Sequence, residues 1–238
     1  MINKIADSVA EALGDVKDGA TVLIGGFGTA GIPIELIDGL IEQGARDLTI
    51  VNNNAGNGDT GLSALFRTGR VRKIICSFPR QVDSYVFDAL YRNGAIELEL
   101  VPQGTLAERL RAAGAGIGGF FTPTGYGTEL AKNADGRPKE TREINGKQHV
   151  FEAPILGDVA LIKAERGDRW GNLLYRKAAR NFGPVMATAA RWTVASVHEI
   201  AELGGLDPEC IVTPGIHVNK IVKIDRVVTQ AGGFKKAS

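Results

Sequence analysis

The chain has 238 residues, of which 44% are hydrophobic and 23% are charged, and its formal net charge is +1. This composition is typical of a soluble globular protein, and we expect one domain spanning residues 1–238. The mixed charges give no reason to expect nucleic acid or a membrane as partner, and without a signal peptide or an apolar run of ~20 residues the protein is expected in the cytoplasm.

Hydrophobic periodicity predicts an alternation of helices and strands. Apolar residues spaced three and four apart predict a first helix over residues 2–13, and Pro33 is well placed to open a second helix that stops near Gly44. Further helices are predicted over residues 62–68, 82–91, 105–113 and 184–191. Short apolar runs predict strands over residues 21–24, 48–51, 73–76, 96–101, 159–163 and 193–197.

This alternation is typical of the α/β class. We expect a mainly parallel, twisted sheet with helices on both faces and right-handed crossovers. The pair Asn145-Gly146 lies between two short extended runs and predicts a small hairpin excursion from that sheet.

The chain has few cysteines and histidines, the residue types that most often form disulfides and metal sites. Neither Cys76 nor Cys210 lies in a CxxC or Cys/His spacing, and Cys76 ends an apolar run, which predicts a buried, reduced thiol. The three histidines are scattered along the chain. We therefore expect no metal and no histidine base.

A glycine-rich turn, here called the glycine loop (residues 25–31), joins the first predicted strand to the second helix. Its residues are Gly25, Gly26, Phe27, Gly28, Thr29, Ala30 and Gly31. Glycine permits positive φ and close backbone approach, and free N–H groups in such a turn suit an anionic or electron-rich ligand. The alternative is that these glycines only permit a sharp turn from strand to helix.

The spacing of Gly26, Gly28 and Gly31 also matches the dinucleotide-binding fingerprint, which would indicate a nicotinamide-dependent enzyme. That fingerprint needs an acidic residue about 20 positions further on to bind the ribose hydroxyls. Residues 52–54 are all asparagine, and neutral amides cannot make the same charge-assisted contact. The nicotinamide hypothesis is weakened but stays an alternative.

Five ordered segments resemble the 3-oxoacid CoA-transferase family. The first comprises Asp18-Gly19, the apolar run that follows, Gly25-Gly26-Phe27, Gly31 and Pro33. The others are Val51-Asn52-Asn53-Asn54-Ala55-Gly56, Pro102-Gln103-Gly104-Thr105-Leu106-Ala107-Glu108-Arg109, Thr122-Pro123-Thr124-Gly125-Tyr126-Gly127-Thr128 and Gly167-Asp168-Arg169-Trp170-Gly171-Asn172. The resemblance implies the CoA-transferase fold, which is of the NagB/RpiA-like type.

The resemblance also implies an enzyme that moves CoA between carboxylic acids, with a CoA thioester as substrate and no permanently bound cofactor. In this family a glutamate attacks the acyl-CoA and then carries the CoA as a glutamyl thioester. The active site is built from two α/β halves, and the glutamate belongs to the second half, in a Ser-Glu-Asn-Gly context. That context is absent here. We therefore expect this chain to be the alpha subunit, without a nucleophile, and its partner to be the beta subunit of a heterodimer or heterotetramer.

By the same resemblance, residues 25–31 line the CoA site. Gln103 would stabilise the developing oxyanion near the thioester, and Asn53 would orient the glutamate of the partner. Simpler roles stay open for both residues. Asn53 could be a turn residue with local backbone hydrogen bonds, and Gln103 could cap the helix that opens near Thr105.

The acceptor is expected to be a 3-oxoacid, with succinyl-CoA as donor. The candidates are 3-oxoadipate, whose second carboxylate would need a cation, and acetoacetate, which has none. Arg80 follows the third strand, where parallel sheets tend to bind ligands, and residues 176–184 offer further cations. Both stretches resemble the 3-oxoadipate branch, which implies aromatic-compound catabolism through the beta-ketoadipate pathway. Solvated charges without a role in binding are the alternative.

Three classes of function therefore stay open. The first, favoured by the five ordered segments, is the alpha subunit of a CoA-transferase. The second is a nicotinamide-dependent enzyme that uses the glycine fingerprint, and the third is a noncatalytic module that senses CoA or acyl groups.

Overall fold

The structure, a computed structural model, describes residues 2–133, 135–225, 228–230 and 233–235. Its helices are α1 (Val9–Leu13), α2 (Ile34–Gln43), α3 (Leu62–Arg67), α4 (Tyr85–Arg92), α5 (Gln103–Gly114) and α6 (Gly183–Thr188). Its strands are β1 (Ile5–Ala6), β2 (Thr21–Ile24), β3 (Leu48–Val51), β4 (Val71–Cys76), β5 (Glu97–Leu100), β6 (Phe120–Thr122), β7 (Thr141–Ile144), β8 (Lys147–Glu152), β9 (Gly157–Asp168), β10 (Leu173–Leu174), β11 (Ala190–Ala201), β12 (Lys220–Lys223), β13 (Val228–Gln230) and β14 (Gly233–Lys235). None of the helices in these described ranges is long and apolar enough to span a membrane.

Within the described residues, nine strands form one sheet in the order β1-β12-β11-β9-β2-β3-β4-β5, and β10 pairs with β9 from outside this path. Every pairing along the path is parallel, and only β10 is antiparallel to its neighbour. The predicted α/β class with a mainly parallel sheet is therefore confirmed.

Helices cover both faces of this sheet. On one face α1 to α4 pack against residues that include Val22, Ile24 and Ile50. On the other face α5 and α6 pack against residues that include Leu23 and Val51. Successive residues of one strand thus enter different cores, which explains why the short strands β2 and β3 are apolar throughout.

The two longest strands extend beyond their predicted bounds. β9 and β11 have 12 residues each and stay paired as far as Asp168 and Ala201. Past residue 163 the apolar run ends, and Arg166 and Glu199 face each other across the strands, with Nε 2.9 Å from Oε1. β9 and β11 continue there because their backbones remain paired, and a prediction from hydrophobic residues alone cannot detect such pairing.

The first helix is shorter than predicted. Ile5 and Ala6 pair with β12 as strand β1, and α1 begins only after Ser8. The Ser8 Oγ accepts a hydrogen bond from the N–H of Glu11 at 3.1 Å, which caps the helix. Apolar spacing could not reveal β1, because its partner strand lies near the other end of the chain.

Two other helices begin two or three residues away from their predicted starts. Helix α4 begins at Tyr85 instead of residue 82, because the Ser84 Oγ accepts the N–H of Gln81 at 2.7 Å and closes a turn before it. Helix α5 begins at Gln103, two residues earlier than predicted.

The predicted hairpin excursion is confirmed. β7 and β8 are joined by Asn145 and Gly146, whose φ values of 51° and 72° are the positive values that a type I′ turn requires. β6 pairs with β8, which makes a three-stranded antiparallel sheet. The buried Glu152 of β8 lies 3.8 Å from Arg109 of α5, and Arg109 also pairs with Glu99 of β5 at 2.8 Å, so Arg109 links this sheet to the larger one.

Ile74 offers a test of the packing, because it lies in β4 with 0% of its surface exposed. We expect Ile74→Ala to lower the free energy of unfolding by about 2–5 kcal/mol, since it leaves a cavity between the sheet and its helices. Ile216→Ala, at a residue that is 85% exposed, is the matched control and should change it by less than about 0.5 kcal/mol. Urea titration measures both values, and equal losses would contradict the assigned core.

Candidate functional site

Four polar or glycine-rich segments meet at one edge of the sheet. The glycine loop, residues 52–54 and residues 77–81 follow β2, β3 and β4, and Gln103 opens α5 shortly after β5. These four strands are neighbours and parallel, so the segments after them share the edge where parallel sheets bind ligands. The residues singled out from the sequence are therefore brought to one side of the molecule.

The glycine loop forms a small hairpin. The N–H of Phe27 donates to the carbonyl of Ala30 and the N–H of Ala30 donates to the carbonyl of Phe27, both at 3.0 Å. Gly28 and Thr29 make the turn between them, and the Gly28 φ of 58° is the value that a type II′ turn requires at its first central residue. A residue with a Cβ would be strained there.

This hairpin leaves several backbone N–H groups without an acceptor in the part of the chain that the structure describes. Among the described residues, none accepts a hydrogen bond from the N–H of Gly28, Thr29 or Gly31. Phe27, within the loop, is 49% exposed, so the loop is open to solvent. Donors of this kind, placed directly after a strand, suit an anionic or electron-rich ligand. That the loop binds CoA stays a prediction.

A buried amide ties the glycine loop to the next strand. Asn52 is 0% exposed; its Nδ2 donates to the carbonyl of Ile24 at 2.6 Å, and its Oδ1 accepts the N–H of Asn54 at 2.9 Å. A carboxylate in this position could not donate to Ile24. The amide is thus used to hold the two strand ends together, and the end of β3 offers no acidic group to a ribose. This geometry argues against the nicotinamide hypothesis.

Asn53 and Gln103 are in direct contact. Gln103 Nε2 donates to Asn53 Oδ1 at 2.8 Å, and Ser77 Oγ donates to the same oxygen at 2.7 Å. The backbone carbonyl of Asn53 accepts the N–H groups of Ser77 and Phe78 at 3.1 and 3.0 Å. Asn53 therefore joins three segments of the site, which a turn residue with only local hydrogen bonds would not do.

The structure contradicts the alternative in which the Gln103 side chain caps helix α5. Gln103 is the first residue of α5, the preceding Pro102 is the N-cap, and no side chain caps the helix through a hydrogen bond. The Gln103 side chain is directed instead to Asn53.

Arg80 lies at the same edge and has an acidic partner. Its Nε donates to Asp88 Oδ1 of α4 at 2.7 Å, and its side chain is 57% exposed. The next residue, Gln81, borders the glycine loop, since a Cβ built on Gly28 would lie 3.7 Å from Gln81 Nε2. Arg80 thus directly precedes a residue that borders the loop, while its own hydrogen bond within the described residues is to Asp88.

Two residues of this edge were not identified as site residues from the sequence. Ser77 follows a buried strand, and its position at the carboxyl end of β4 is a signal that could have found it. Asn181 accepts a hydrogen bond from the N–H of Gly26 at 3.1 Å, across 155 residues of chain. The sequence indicates residues 176–184 only for their cations, because no local pattern predicts a contact of that separation.

The hydrogen-bonded side chains of Asn53, Ser77 and Gln103 carry no charge, and the charged Arg80 at the same edge is paired with Asp88. Cys76 directly precedes Ser77 and is fully buried, and burial raises the pKa of its thiol to about 12. The thiol is therefore protonated at neutral pH and is not an activated nucleophile. In the described part of the chain no three His, Cys, Asp or Glu side chains are grouped to hold a metal ion. The arrangement can bind and orient a carboxylate or a thioester through N–H donors.

Known proteins are similar to this chain over most of its length. Residues 6–224 match the coenzyme A transferase family. The chain is 64% identical over 224 residues to one subunit of the 3-oxoadipate CoA-transferase of Pseudomonas putida, with 94% of this chain and 95% of the relative covered. It is 47% identical over 222 residues to one subunit of the succinyl-CoA:3-ketoacid coenzyme A transferase of Helicobacter pylori, with 93% of each covered.

A solved structure has a closely similar fold. The acyl-CoA transferase of Escherichia coli O157:H7, solved as the apoenzyme, superposes with a TM-score of 0.81 at 25% identity. The match covers 94% of this chain and 47% of that chain, so this chain spans about half the length of that protein. The parallel sheet, the amide-rich edge and the similarity over residues 6–224 lead to one conclusion, which is that the chain belongs to the coenzyme A transferase family.

Proposed function

We propose that this chain is the alpha subunit of an enzyme that moves CoA from succinyl-CoA to 3-oxoadipate. The observation that carries the proposal is the convergence of the glycine loop, Asn53 and Gln103 at one edge, where the side chains that bond to Asn53 are neutral. Such a site can hold a thioester but needs a second chain to supply the attacking carboxylate. The 64% identity to one subunit of a 3-oxoadipate CoA-transferase supports the choice of reaction.

The reaction proceeds in two halves. A glutamate of the beta subunit, which is the partner chain, attacks the acyl carbon of succinyl-CoA, the C–S bond breaks, and a mixed anhydride and the CoA thiolate form. The thiolate then attacks the glutamyl carbon of the anhydride, which gives the glutamyl-CoA thioester and releases succinate. The carboxylate of 3-oxoadipate then takes the CoA and frees the glutamate. No net change in protons or redox state is required, because one thioester and one carboxylate are exchanged for another pair.

Gln103 and Asn53 act on this reaction through their amide N–H groups. A primary amide nitrogen has two hydrogens, so Gln103 Nε2 retains one donor after bonding Asn53 Oδ1. That donor stabilises the oxyanion that develops on the thioester oxygen. The Asn53 oxygen is already bonded to Gln103 and Ser77, which leaves its Nδ2 to orient the glutamate carboxylate.

The glycine loop binds the CoA portion of the substrate in this proposal. The N–H groups of Gly28, Thr29 and Gly31 lack partners among the described residues, and CoA offers amide and phosphate oxygens that accept hydrogen bonds. CoA is thus a part of the substrate, and no resident cofactor is needed. The partner is the beta subunit, in a heterodimer or heterotetramer that works in the cytoplasm.

Arg80 supplies the preference for a dicarboxylic acceptor. Its Nε is held by Asp88 at 2.7 Å, and the two terminal nitrogens of the guanidinium stay available to a distal carboxylate. Acetoacetate, the second candidate acceptor, has no such group. The higher identity to the Pseudomonas putida relative, 64% against 47% for the Helicobacter pylori protein, supports 3-oxoadipate.

Reconstitution tests the proposed function. This chain, the beta subunit alone, or the assembled pair is assayed with succinyl-CoA and either 3-oxoadipate or acetoacetate. We expect activity from the pair alone, with kcat/KM at least about tenfold higher for 3-oxoadipate. Transfer by this chain alone would contradict the division between the two chains, and a pair without any transfer would favour a noncatalytic CoA-sensing module.

Substitution of Gln103 tests its role in the chemistry. We expect Gln103→Ala to lower kcat of the pair about 100-fold, because one donor to the oxyanion is lost. Gln43→Ala is the matched control: Gln43 Nε2 donates to the carbonyl of Gly14 at 2.7 Å, at the end of α2 away from the site. Steady-state kinetics measures kcat for both variants, and equal losses of kcat would exclude a catalytic role for Gln103.

Substitution of Arg80 tests substrate selection. We expect Arg80→Ala to lower kcat/KM for 3-oxoadipate about 10- to 100-fold and to leave that for acetoacetate unchanged, because only the former loses a charge-assisted hydrogen bond. Arg111→Ala removes a similar ion pair, with Glu108 at 2.8 Å, and should affect neither acceptor. Equal loss of both activities in Arg80→Ala would show that Arg80 does not select the longer diacid.

A further inference from the structure

The glycine loop is held by a side chain from a distant part of the chain. Asn181 lies between the 3-10 turn Lys177–Arg180 and α6. Its Oδ1 accepts the N–H of Gly26 at 3.1 Å, and its Nδ2 donates to the carbonyl of Ala30 at 3.0 Å. These two residues lie at the base of the loop hairpin, one on each arm. A single carboxamide therefore joins both arms.

Asn181 is itself anchored to the core. Its Oδ1 also accepts the N–H of Phe182 at 2.7 Å, and its Nδ2 also donates to the carbonyl of Ala178 at 2.9 Å. All the hydrogen-bonding capacity of the carboxamide is thus used. Phe182 is buried in the core that lies beneath α5 and α6, together with Met186. The loop is thereby connected to a rigid part of the fold.

A third contact brings the same segment against the loop. A Cβ built on Gly31 would lie 2.5 Å from the carbonyl oxygen of Ala179, and the Gly31 φ is 72°. Glycine is therefore required at this position for the two backbones to approach. The segment around Asn181 contacts the loop at Gly26, Ala30 and Gly31. The N–H groups of Gly28 and Thr29 at the turn have no acceptor among the described residues.

We propose that Asn181 is a positioning residue for CoA binding, whose carboxamide orders the glycine loop before the acyl-CoA arrives. The inference rests on the proposed function, since it takes the loop to be the CoA site. An unclamped glycine-rich loop has high conformational entropy, and ligand binding would have to supply the free energy of ordering it. Loss of the clamp weakens CoA binding while Gln103 and Asn53 keep their geometry.

The two halves of the reaction separate this role from general destabilisation. The kcat/KM for succinyl-CoA refers to the free enzyme, whereas the kcat/KM for 3-oxoadipate refers to enzyme that already holds CoA. In the pair with the beta subunit, we expect Asn181→Ala to lower the first about tenfold and the second less than about twofold. A merely structural role would lower both in proportion to the folded fraction.

Two further variants complete the experiment. Asn219 Oδ1 accepts the N–H of Thr193 at 2.8 Å beside β12, three strands from β2 in the sheet. Asn219→Ala is the matched control and should lower the melting temperature without a selective effect on either kcat/KM. Asn181→Asp keeps the acceptor and loses the donor to Ala30, and it should show the selective loss for succinyl-CoA even if Asn181→Ala does not assemble.

The wild-type pair is measured first, so that a failure of the proposed function can be distinguished from a failure of the role proposed for Asn181. Absence of transfer by the wild-type pair would overturn the proposed function and this inference with it. Transfer by the wild-type pair, combined with unchanged or equally lowered kcat/KM values in the Asn181 variants, would overturn this inference alone. The selective loss for succinyl-CoA in both variants is the result we expect.

Discussion

The hydrogen bond from Gln103 Nε2 to Asn53 Oδ1 joins the ends of separate strands at one point, and the rest of the candidate site is arranged around it. Asn53 is only 2% exposed, so its oxygen has to be satisfied by protein donors, of which Ser77 Oγ is the second. A buried acceptor left without a donor costs about 1–3 kcal/mol. Asn52 is also buried, and its Nδ2 has to be paired as well; it donates to the carbonyl of Ile24 and so holds the end of β3 to the end of β2. The site is therefore part of the hydrogen bonding that stabilises the sheet edge.

The parts of the fold and of the site that depend on interactions between residues near each other in the chain could be predicted from the sequence. β2 and β3 match their predicted bounds because a short apolar run, bounded by glycine or asparagine, indicates a strand buried on both faces. Asn53 is the second residue after such a strand, which marks it as a residue of the sheet edge. The pairing of Ile5 with Ile221 and the contact of Asn181 with Gly26 could not be predicted, because each joins residues far apart in the chain.

The neutral side chains of Asn53, Ser77 and Gln103 give this chain its part in the proposed enzyme. Backbone N–H groups and side-chain amides do not titrate near neutral pH, so the hydrogen bonds proposed for CoA and the oxyanion would persist across that range. The thiol of Cys76 stays protonated as well, since burial raises its pKa to about 12. The pH dependence of transfer would therefore be set by the carboxylate of the beta subunit.

The division of labour between the two chains is tested most directly by locating the covalent intermediate. The assembled pair is incubated with succinyl-CoA in the absence of an acceptor, the thioester is reduced with borohydride or cleaved with hydroxylamine, and both chains are mapped by peptide mass spectrometry. We predict one modified glutamate on the beta subunit, with every carboxylate of this chain unmodified. A substrate-dependent modification on any carboxylate of this chain would contradict the account.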